Sequence, residues 1–529
     1  MAAMHAPAWA PLRWPIFRAL WIAALASNVG TWIHDVAATW MMTTLTPSPI
    51  LIALVPSAST LPIFLLALMA GALADIVDRR RLLLASQCWM LAVSGALGLL
   101  TLGGVRNPWV LLAATFALGC GTALNAPAWQ AIIPELVARD ELQAALTLNG
   151  LGINVARAVG PACGGLVVAS LGPGAAFLLN AASFLGVVLV LFAWDAPARP
   201  TRLPGERLAG ALRAGLRYAR HSADLRRVLL RAASFILCAS ALWALLPVIV
   251  RDELHRGPGD YGFLLGCLGL GAVGGALLLP RARSIVSSES LVAAATPLVA
   301  IALLVFALRP SPAACAIAMA LAGVAWITVL TAFHSGAQAA LAPWVRGRGL
   351  AVYLVVFFGG LALGSALWGA VAEWIGARPA CLVAAIALLI GLAATARVRL
   401  PSGAAHDAAP PRHWPTSSWG SKENGDEGPV LVTVEYRIDP AHADAFARAM
   451  DDVRRFRLRD GATRWDLLND PSKAGRCVES FLVDSWVEHL RQHERITAAD
   501  RDTEQRARCF HVGPQPPAIS HFIARALPK

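Results

Sequence analysis

The chain has 529 residues, of which 57% are hydrophobic and only 15% are charged. Soluble globular proteins have about a quarter of their residues charged, so this composition excludes a simple cytosolic enzyme and a disordered scaffold. The formal net charge of +12 requires no nucleic-acid partner, because loop Lys and Arg set the topology of membrane proteins and face anionic lipid. Residues 1–400 hold 27 Lys/Arg and 14 Asp/Glu, whereas the hundred residues 430–529 hold 16 and 15. A membrane body therefore precedes a water-soluble domain.

The membrane body is predicted to be all helical. A bilayer-crossing helix needs about 20 mostly apolar residues, and these stretches lack the ten-residue alternation of a membrane β-barrel. Twelve spans are predicted, at 15–43, 49–74, 82–103, 108–131, 142–171, 174–194, 228–250, 260–280, 286–308, 312–340, 350–373 and 377–397. The first apolar stretch becomes a full-length span, so no cleaved signal peptide is expected.

Loop arginines predict the orientation of the chain. With the N-terminus inside, the cytoplasmic segments carry 19 arginines, eight of them between Arg199 and Arg227, and the opposite loops carry 5. Because positive residues collect on the cytoplasmic side, we expect both termini in the cytoplasm of a multi-pass inner-membrane protein. Similar motifs recur about 200 residues apart, as in the segments beginning at Gly71 and Gly275. This repetition predicts two parallel six-helix halves.

The connection after the second span carries the gating candidates Gly71, Asp75, Arg79 and Arg80. A glycine permits close approach of helices, and the arginines can pair with a carboxylate and with carbonyls at a helix C-terminus. Such contacts could break and re-form as two halves move. The alternative is that the arginines are only positive-inside anchors, which does not account for the Gly and the Asp.

This loop motif resembles that of the major facilitator superfamily. Gly160, Pro161 and Gly164 in span five resemble the motif of its proton-coupled antiporters, and their physical effect is a bent helix with a closely packed neighbour. Further matches resemble the drug/proton antiporter branch that includes enterobactin and macrolide exporters: Ser27–Trp32, Asn125–Gln130, Asn154–Pro161 and Pro343–Arg348. The resemblance covers residues 10–400. It implies a twelve-helix major facilitator fold that exports a siderophore, macrolide or other small amphipathic drug by alternating access, in exchange for protons.

Two charged residues inside spans are the principal site candidates. Asp35 lies in span one, one heptad from Asn28, and Arg157 lies well inside span five. An intramembrane carboxylate must be protonated, paired or water-exposed, so Asp35 is a candidate proton carrier and Arg157 its counter-charge. The alternatives are that Asp35 lies shallow at the outer interface and that Arg157 is a structural pin.

Uncharged polar residues in the spans give weaker candidates. Gln130 and Gln338 stand at symmetry-related places in spans four and ten, and His334 lies one turn before Gln338. We predict that the three contribute to the cavity, and His334 could titrate near neutral pH. The alternative for each is a hydrogen bond that holds two helices together.

The predicted domains are a first six-helix half (1–200), an inter-half loop (201–227), a second half (228–400), a flexible linker (401–429) and an α+β domain (430–529). Alternating residues from Val430 predict a first strand, and Asp439 is positioned to cap the following helix. Further strands are expected near 463–469, 476–484 and 518–524, with helical segments at 485–495 and 498–510. This order is ferredoxin-like.

The last domain also resembles the dimeric α+β barrel of antibiotic-biosynthesis monooxygenases, through Val434–Ile438 and Phe481–His493. The resemblance leaves three roles open: a tethered cofactor-free oxygenase, a ligand sensor and a dimerisation module. No catalytic residue is assigned, and the protein is predicted not to be an enzyme, with this domain left open. His489 and His493 have the i, i+4 spacing of metal ligands, but without a third ligand we predict no metal site and no cofactor. The expected partners are a small-molecule substrate, protons, the bilayer and, through this domain, a second copy of the chain.

Overall fold

The computed structural model describes residues 9–194, 208–308, 311–342, 345–401, 428–495 and 498–524. Parts of the predicted inter-half loop (201–207) and linker (402–427) lie outside these residues. Packing of the backbone divides the chain into two compact units. The first contains Met1–Leu208, Leu229–His334 and Tyr353–Leu400, and the second contains Ala209–Val228, Ser335–Val352 and Pro401–Lys529.

The body of the chain is helical, as its composition predicts. Its helices are α1 (Pro15–Leu45), α2 (Pro49–Ile76), α3 (Arg79–Leu102), α4 (Pro108–Leu136), α5 (Leu142–Ala193), α6 (Leu208–His221), α7 (Ala223–Ala239), α8 (Ala241–Val248), α9 (Pro258–Ile285), α10 (Ser288–Leu308), α11 (Pro312–Ala339), α12 (Arg346–Ile375) and α13 (Ala377–Thr395). We refer to α1–α5 as the first half and to α7–α13 as the second half.

Within the described residues, eleven helical segments are long and apolar enough to cross a membrane, against the twelve spans predicted from the sequence. The difference lies in α5, which has 52 residues. At 1.5 Å per residue such a helix would be more than twice as long as a bilayer core is thick, about 30 Å. The backbone leaves the helical conformation at Gly172 (φ 82°, ψ 170°), a left-handed value that favours glycine. This break falls between the spans predicted at 142–171 and 174–194.

The surface of the helical body matches a lipid environment. Large apolar side chains are exposed along several helices, among them Leu99, Leu166 and Leu277, which are 65%, 68% and 70% exposed. Water would disfavour this much exposed apolar surface, whereas lipid chains solvate it. Between the helices, a buried cluster joins Phe17 and Leu20 of α1 to residues of α3, α4 and α5.

The C-terminal region folds as a small α+β domain. It contains β1 (Val430–Arg437), α14 (Ala443–Asp460), β2 (Ala462–Asn469), β3 (Arg476–Val483), α15 (Trp486–Arg495), α16 (Ala498–Arg508) and β4 (Ala518–Ile523). The strands form one antiparallel sheet in the order β2-β3-β1-β4. The predicted strands are confirmed, and Asp439 Oδ1 accepts a hydrogen bond from the amide of Ala441 at 3.0 Å, as the capping prediction requires.

One face of this sheet forms the core of the domain. Val434 and Tyr436 of β1 are buried against Phe446, Met450 and Val453 of α14. The burial of alternate residues in β1 follows from the two-residue period of a strand. The other face bears Leu431 opposite Phe522 of β4 and Leu482 of β3.

Candidate functional site

A cavity of about 320 Å³ lies in the first unit, between the two halves. This volume is within the range of small-molecule sites. The first half contributes polar groups to its wall, namely Asp35, Thr39, Ser59, Thr60 and Arg157. The second half contributes aromatic rings, namely Trp243, Tyr261, Trp326, Phe357 and Phe358. Both charged groups therefore lie on the side of the first half, and five of the six aromatic rings in the wall lie on the side of the second half, the sixth being Trp32.

Helix periodicity places Asp35 in the cavity wall. Trp32, Asp35, Val36 and Thr39 all line the cavity, and spacings of three, four and seven residues put them on one face of α1. Asn28 lies on the same helix, one heptad before Asp35, but is not among the lining residues. The cavity therefore begins beyond Asn28 along α1.

Close packing of α1 against α5 brings Arg157 to the same cavity. A Cβ atom at Gly160 would lie 2.6 Å from Cβ of Trp32, and one at Gly164 would lie 3.0 Å from Cα of Ile33. These glycines let the two helices approach each other closely, as the sequence motif predicts. On the same helix, Gly165 packs against Gly262 of α9 in the second half. A Cβ atom at Gly165 would lie 2.9 Å from Cα of Gly262. Helix α5 therefore packs closely against helices of both halves in this region.

The aromatic wall is a connected set of rings. The centroids of Trp243 and Trp326 lie 4.3 Å apart, and Trp326 lies 6.2 Å from Phe357. Phe357 in turn lies 5.1 Å from Phe358, nearly perpendicular to it. These are favourable separations for aromatic pairs, so the rings support one another and offer large apolar surfaces to a ligand. Sequence reasoning missed this wall, because its rings come from four separate helices.

Sequence reasoning also missed His34, which lies next to Asp35 in α1. Its side chain is 2% exposed, and its ring centroid lies 4.7 Å from that of Phe177. Among the described residues, neither ring nitrogen of His34 has a hydrogen-bond partner. The ring thus packs as an aromatic group, next in sequence to Asp35. A histidine inside an apolar span was the signal that could have indicated it.

The remaining predicted cavity residues lie elsewhere. Gln130, Gln338 and His334 are not among the residues that line the cavity. All three side chains are exposed, and the ring of His334 lies 5.8 Å from that of Tyr353. Gln338 belongs to the second unit. The cavity contains Asp35 and Arg157 but not these three.

The predicted gating arginines bind carbonyl and carboxylate groups of their own half. Arg79 Nη1 contacts Glu135 Oε1 of α4 at 2.7 Å and donates to the carbonyl of Ala131 at 3.0 Å. Arg80 donates to the carbonyls of Leu191 (2.8 Å) and Phe192 (3.0 Å), at the C-terminal end of α5. These contacts match the expected pairing of arginines with helix C-terminal carbonyls. Sequence reasoning did not anticipate Glu135.

The contacts predicted for the other two gating candidates, Asp75 and Gly71, are not seen among the described residues. Asp75 lies in the last turn of α2, and its side chain is outside the described residues. Among the atoms of the described residues, a Cβ at Gly71 would meet none within 4 Å. Close helix approach at Gly71 is therefore not seen here, in contrast to Gly160 and Gly164.

The core of the C-terminal domain contains a buried charge network. Arg457 contacts Glu479 and Glu504, each at 3.1 Å, and all three side chains are at most 4% exposed. Trp465 Nε1 also donates to Glu479 at 3.0 Å. Burial alone would raise the pKa of Glu504, but Arg457 and Arg508 outweigh it and hold that pKa below the ordinary carboxyl value.

The histidine pair considered as metal ligands is only partly described. The ring of His489 lies 4.8 Å from that of His521 and 5.3 Å from that of Trp486. The side chain of His493 lies outside the described residues. Among the residues that are described, no group of three or more His, Cys, Asp or Glu side chains could hold a metal ion.

Two helical halves around a central cavity define a membrane transporter. Residues 6–529 match the family model described as transmembrane secretion effector. The chain therefore belongs to this family of major facilitator transporters.

The curated proteins that resemble this chain include transporters, exporters and an efflux pump. The chain is 24% identical to the staphyloferrin A transporter of Staphylococcus aureus over 48% of its own length and 64% of the relative's. It is 26% identical to the multidrug efflux pump Tap of Mycolicibacterium fortuitum, over 72% and 94% of the two chains. An enterobactin exporter of Escherichia coli is 26% identical over 67% and 85%. The match to the staphyloferrin A transporter thus spans less than two thirds of that protein.

Solved structures share the fold at low sequence identity. The nucleoside transporter NupG matches with a TM-score of 0.54 at 14% identity, covering 72% of this chain and 98% of NupG. A bacterial homologue of the human lysosomal transporter Spinster, in an inward-facing unoccupied conformation, matches with a TM-score of 0.56 at 15% identity, covering 73% and 98%. Identities this low establish the fold of the helical body alone.

Proposed function

We propose that this protein is a proton-coupled exporter that moves a small amphipathic molecule by alternating access between its two halves. The observation that carries the proposal is the composition of the cavity. Asp35 and Arg157 lie in a wall from the first half, and the facing wall from the second half is aromatic. A ligand with an apolar face and a polar edge satisfies both walls. The relatives suggest a siderophore or a drug as the substrate class, and the resemblance of the sequence to macrolide exporters adds a macrolide.

Asp35 is the proposed proton carrier. A carboxylate at membrane depth is costly when charged, so its protonation and its exposure to water are coupled. When the cavity faces the outside, Asp35 takes up a proton, and when the cavity faces the cytoplasm it releases one. Arg157, in the same wall, offsets negative charge in the cavity while the substrate is bound. The arginine distribution supports an inner-membrane location with both termini in the cytoplasm.

The arginine cluster after α2 is the proposed cytoplasmic latch. Arg79 and Arg80 tie the start of α3 to α4 and to the end of α5, so the cytoplasmic ends of these helices move as one body. Asp75 is proposed to join this cluster when the halves rock. Gly160 and Gly164 form the close contact of α5 with α1 on which this motion depends, and Pro161 lies between them on α5.

A proton-gradient assay in everted vesicles tests the proposal. Vesicles are energised, and a panel of siderophores, macrolides and dyes is added. A substrate should partly collapse the gradient, and Asp35→Asn should abolish the response because it cannot exchange a proton. Asp140→Asn is the matched control, since Asp140 is exposed and lies outside the cavity. An equal response in Asp35→Asn would remove Asp35 from the mechanism, and no response to any compound would leave export without support.

For the C-terminal domain we propose a regulatory and dimerising role in preference to the oxygenase alternative. Its order of elements and its sheet order support a ferredoxin-like fold of the antibiotic-biosynthesis-monooxygenase type. Its open sheet face exposes Leu431, Phe522 and Leu468, at 37%, 55% and 53%, which suits pairing with the same face of a second copy. Within the second unit, Arg217 of α6 contacts Glu488 of α15 at 3.4 Å, so the domain binds the helix that forms within the predicted inter-half loop.

A further inference from the structure

The connection between α1 and α2 is bound at both of its helix ends by residues of the second half. This connection is short, since α1 ends at Leu45 and α2 begins at Pro49. It lies at the end of α1 away from the N-terminus. Because the arginine distribution puts the N-terminus in the cytoplasm, the connection lies on the outer side of the membrane. All of the residues involved belong to the first compact unit.

Arg251, which follows α8, caps the end of α1. Its guanidinium donates hydrogen bonds to three main-chain carbonyls, those of Thr43 (2.8 Å), Thr46 (3.0 Å) and Pro47 (3.2 Å). The last carbonyls of a helix lack intrahelical partners and carry partial negative charge, so a cation is favoured there. Asp252 holds the guanidinium in place with two contacts of its own, at 2.5 and 2.8 Å.

Glu373, near the end of α12, caps the start of α2. Its Oε2 accepts a hydrogen bond from the Ser48 hydroxyl at 2.7 Å and one from the Ile50 amide at 3.3 Å. The first amides of a helix are unpaired and carry partial positive charge, so an anion is favoured there. One turn earlier in α12, Gly369 packs directly on α2, where a Cβ would lie 3.0 Å from Cα of Ile50.

We propose that Arg251 and Glu373 form an outer latch that seals the transporter on the side away from the cytoplasm. Arg251 binds the C-terminal end of α1, and Glu373 binds the N-terminal end of α2. If the two halves separate on this side of the membrane, both helix ends lose their charged partners at the same time. Gly369 permits the close contact that brings the two charges into range. The latch rests on the proposed alternating-access function and specifies which residues hold the outer-closed conformation.

The test measures access to the cavity directly and needs no substrate. Ser59→Cys places a thiol in the cavity wall, and none of the nine native cysteines lines the cavity. Intact cells are labelled with a membrane-impermeant maleimide, and cells whose protein lacks the Ser59→Cys change give the background. Adding Arg251→Gln or Glu373→Gln should raise the labelling rate from outside about fivefold, which is roughly 1 kcal/mol at 1.4 kcal/mol per tenfold.

Arg378 supplies the matched control for Arg251. It caps the carbonyls of Ala307 (2.9 Å) and Leu308 (2.6 Å) at the end of α10 and contacts Glu253 at 3.6 Å, so all of these partners belong to the second half. Arg378→Gln removes an equivalent capping cation and should leave outside labelling unchanged. Gly369→Val is an independent variant, since its side chain would clash with α2 only while the latch is closed. It should therefore raise labelling without removing any charge.

Equal outside labelling in the Arg251→Gln, Glu373→Gln and Arg378→Gln proteins would overturn the latch. A rise seen only in everted vesicles would also overturn it, because the seal would then lie on the other face. Neither result depends on gradient collapse, so the latch can fail while proton-coupled export stands. If export fails instead, the labelling rates still report whether these residues hold the halves together.

Discussion

At the scale of single residues, a charged side chain inside an apolar span can be recognised from the sequence, whereas a contact between distant residues cannot. Asp35 and Arg157 could be selected from the sequence because a charged residue inside an apolar span is costly without a purpose. Glu135 could not, since its importance lies in a 2.7 Å contact with Arg79 across 56 residues of sequence. Gln130 and Gln338 are polar residues inside spans, as Asp35 and Arg157 are, but they do not line the cavity. Polar character alone does not determine which face of a helix is directed toward the cavity.

Arg457 allows a sharp prediction about the C-terminal domain. Arg457→Met leaves Glu479 buried without its cation and leaves Glu504 with Arg508 alone, which should cost about 3–5 kcal/mol of local stability. Arg455→Met is the control, because Arg455 lies on the same helix with its side chain 63% exposed and should change stability by no more than about 0.5 kcal/mol.

The measurement is amide hydrogen exchange of the intact protein, read in β3 and α14. Faster exchange in Arg457→Met, with Arg455→Met like the parent, is the expected result. Equal protection in both variants would mean that the carboxylates are protonated or reach water, so the network would not be needed for stability.

At the scale of elements, the pattern of apolar residues located the helices, and glycines decided how they meet. The predicted end of span five at 171 and the start of span six at 174 flank Gly172, where the helix breaks. A hydropathy pattern finds such a break because each span must match the bilayer. It cannot show that Gly160 and Gly164 contact α1 whereas Gly71 faces open space, because that depends on tertiary packing.

A substitution series on α5 tests this distinction. Gly160→Val should destabilise the protein, because its side chain would overlap Trp32 and force α1 away from α5, at a cost of about 1–3 kcal/mol. Gly150→Val and Gly186→Val on the same helix should have little effect, since a Cβ at either position meets no atom within 4 Å.

Thermal unfolding in detergent measures the series. The expected order is a lower melting temperature for Gly160→Val than for either control. Three equal melting temperatures would show that the helix contact at Gly160 adjusts freely and does not hold α1 in place.

At the scale of the whole molecule, the second unit combines segments that are far apart in sequence. Helix α6, residues 335–352 and the C-terminal domain pack into one unit, although the sequence analysis treated them as a loop, part of a half and a separate domain. Composition predicted a separate C-terminal domain, and the alternation of its residues predicted its strands, because charge density and alternation are local properties. Its packing partners depend on individual contacts that no local pattern encodes.

Tyr218 of α6 provides the clearest of these contacts. Its side chain is 4% exposed, and its hydroxyl donates to the Ala340 carbonyl at 3.0 Å and accepts from the Ala342 amide at 3.3 Å. The guanidinium of Arg459, in the C-terminal domain, lies 5.6 Å from the centre of the Tyr218 ring, within the range of a cation–π interaction. One side chain thus links the domain to the end of α11.

If the C-terminal domain regulates export, Tyr218→Phe should alter the export rate although it leaves the cavity intact. The variant keeps the ring beneath Arg459 but loses two hydrogen bonds, each worth about 1 kcal/mol, so a change of up to roughly 25-fold is expected. Arg220→Ala on the same helix is the control, because Arg220 is exposed. Gradient collapse in everted vesicles gives the rate, and hydrogen exchange of α6 shows whether the contact has loosened. A loosened α6 with an unchanged rate would contradict regulation and favour the oxygenase alternative, in which the membrane body transports independently of the domain it carries.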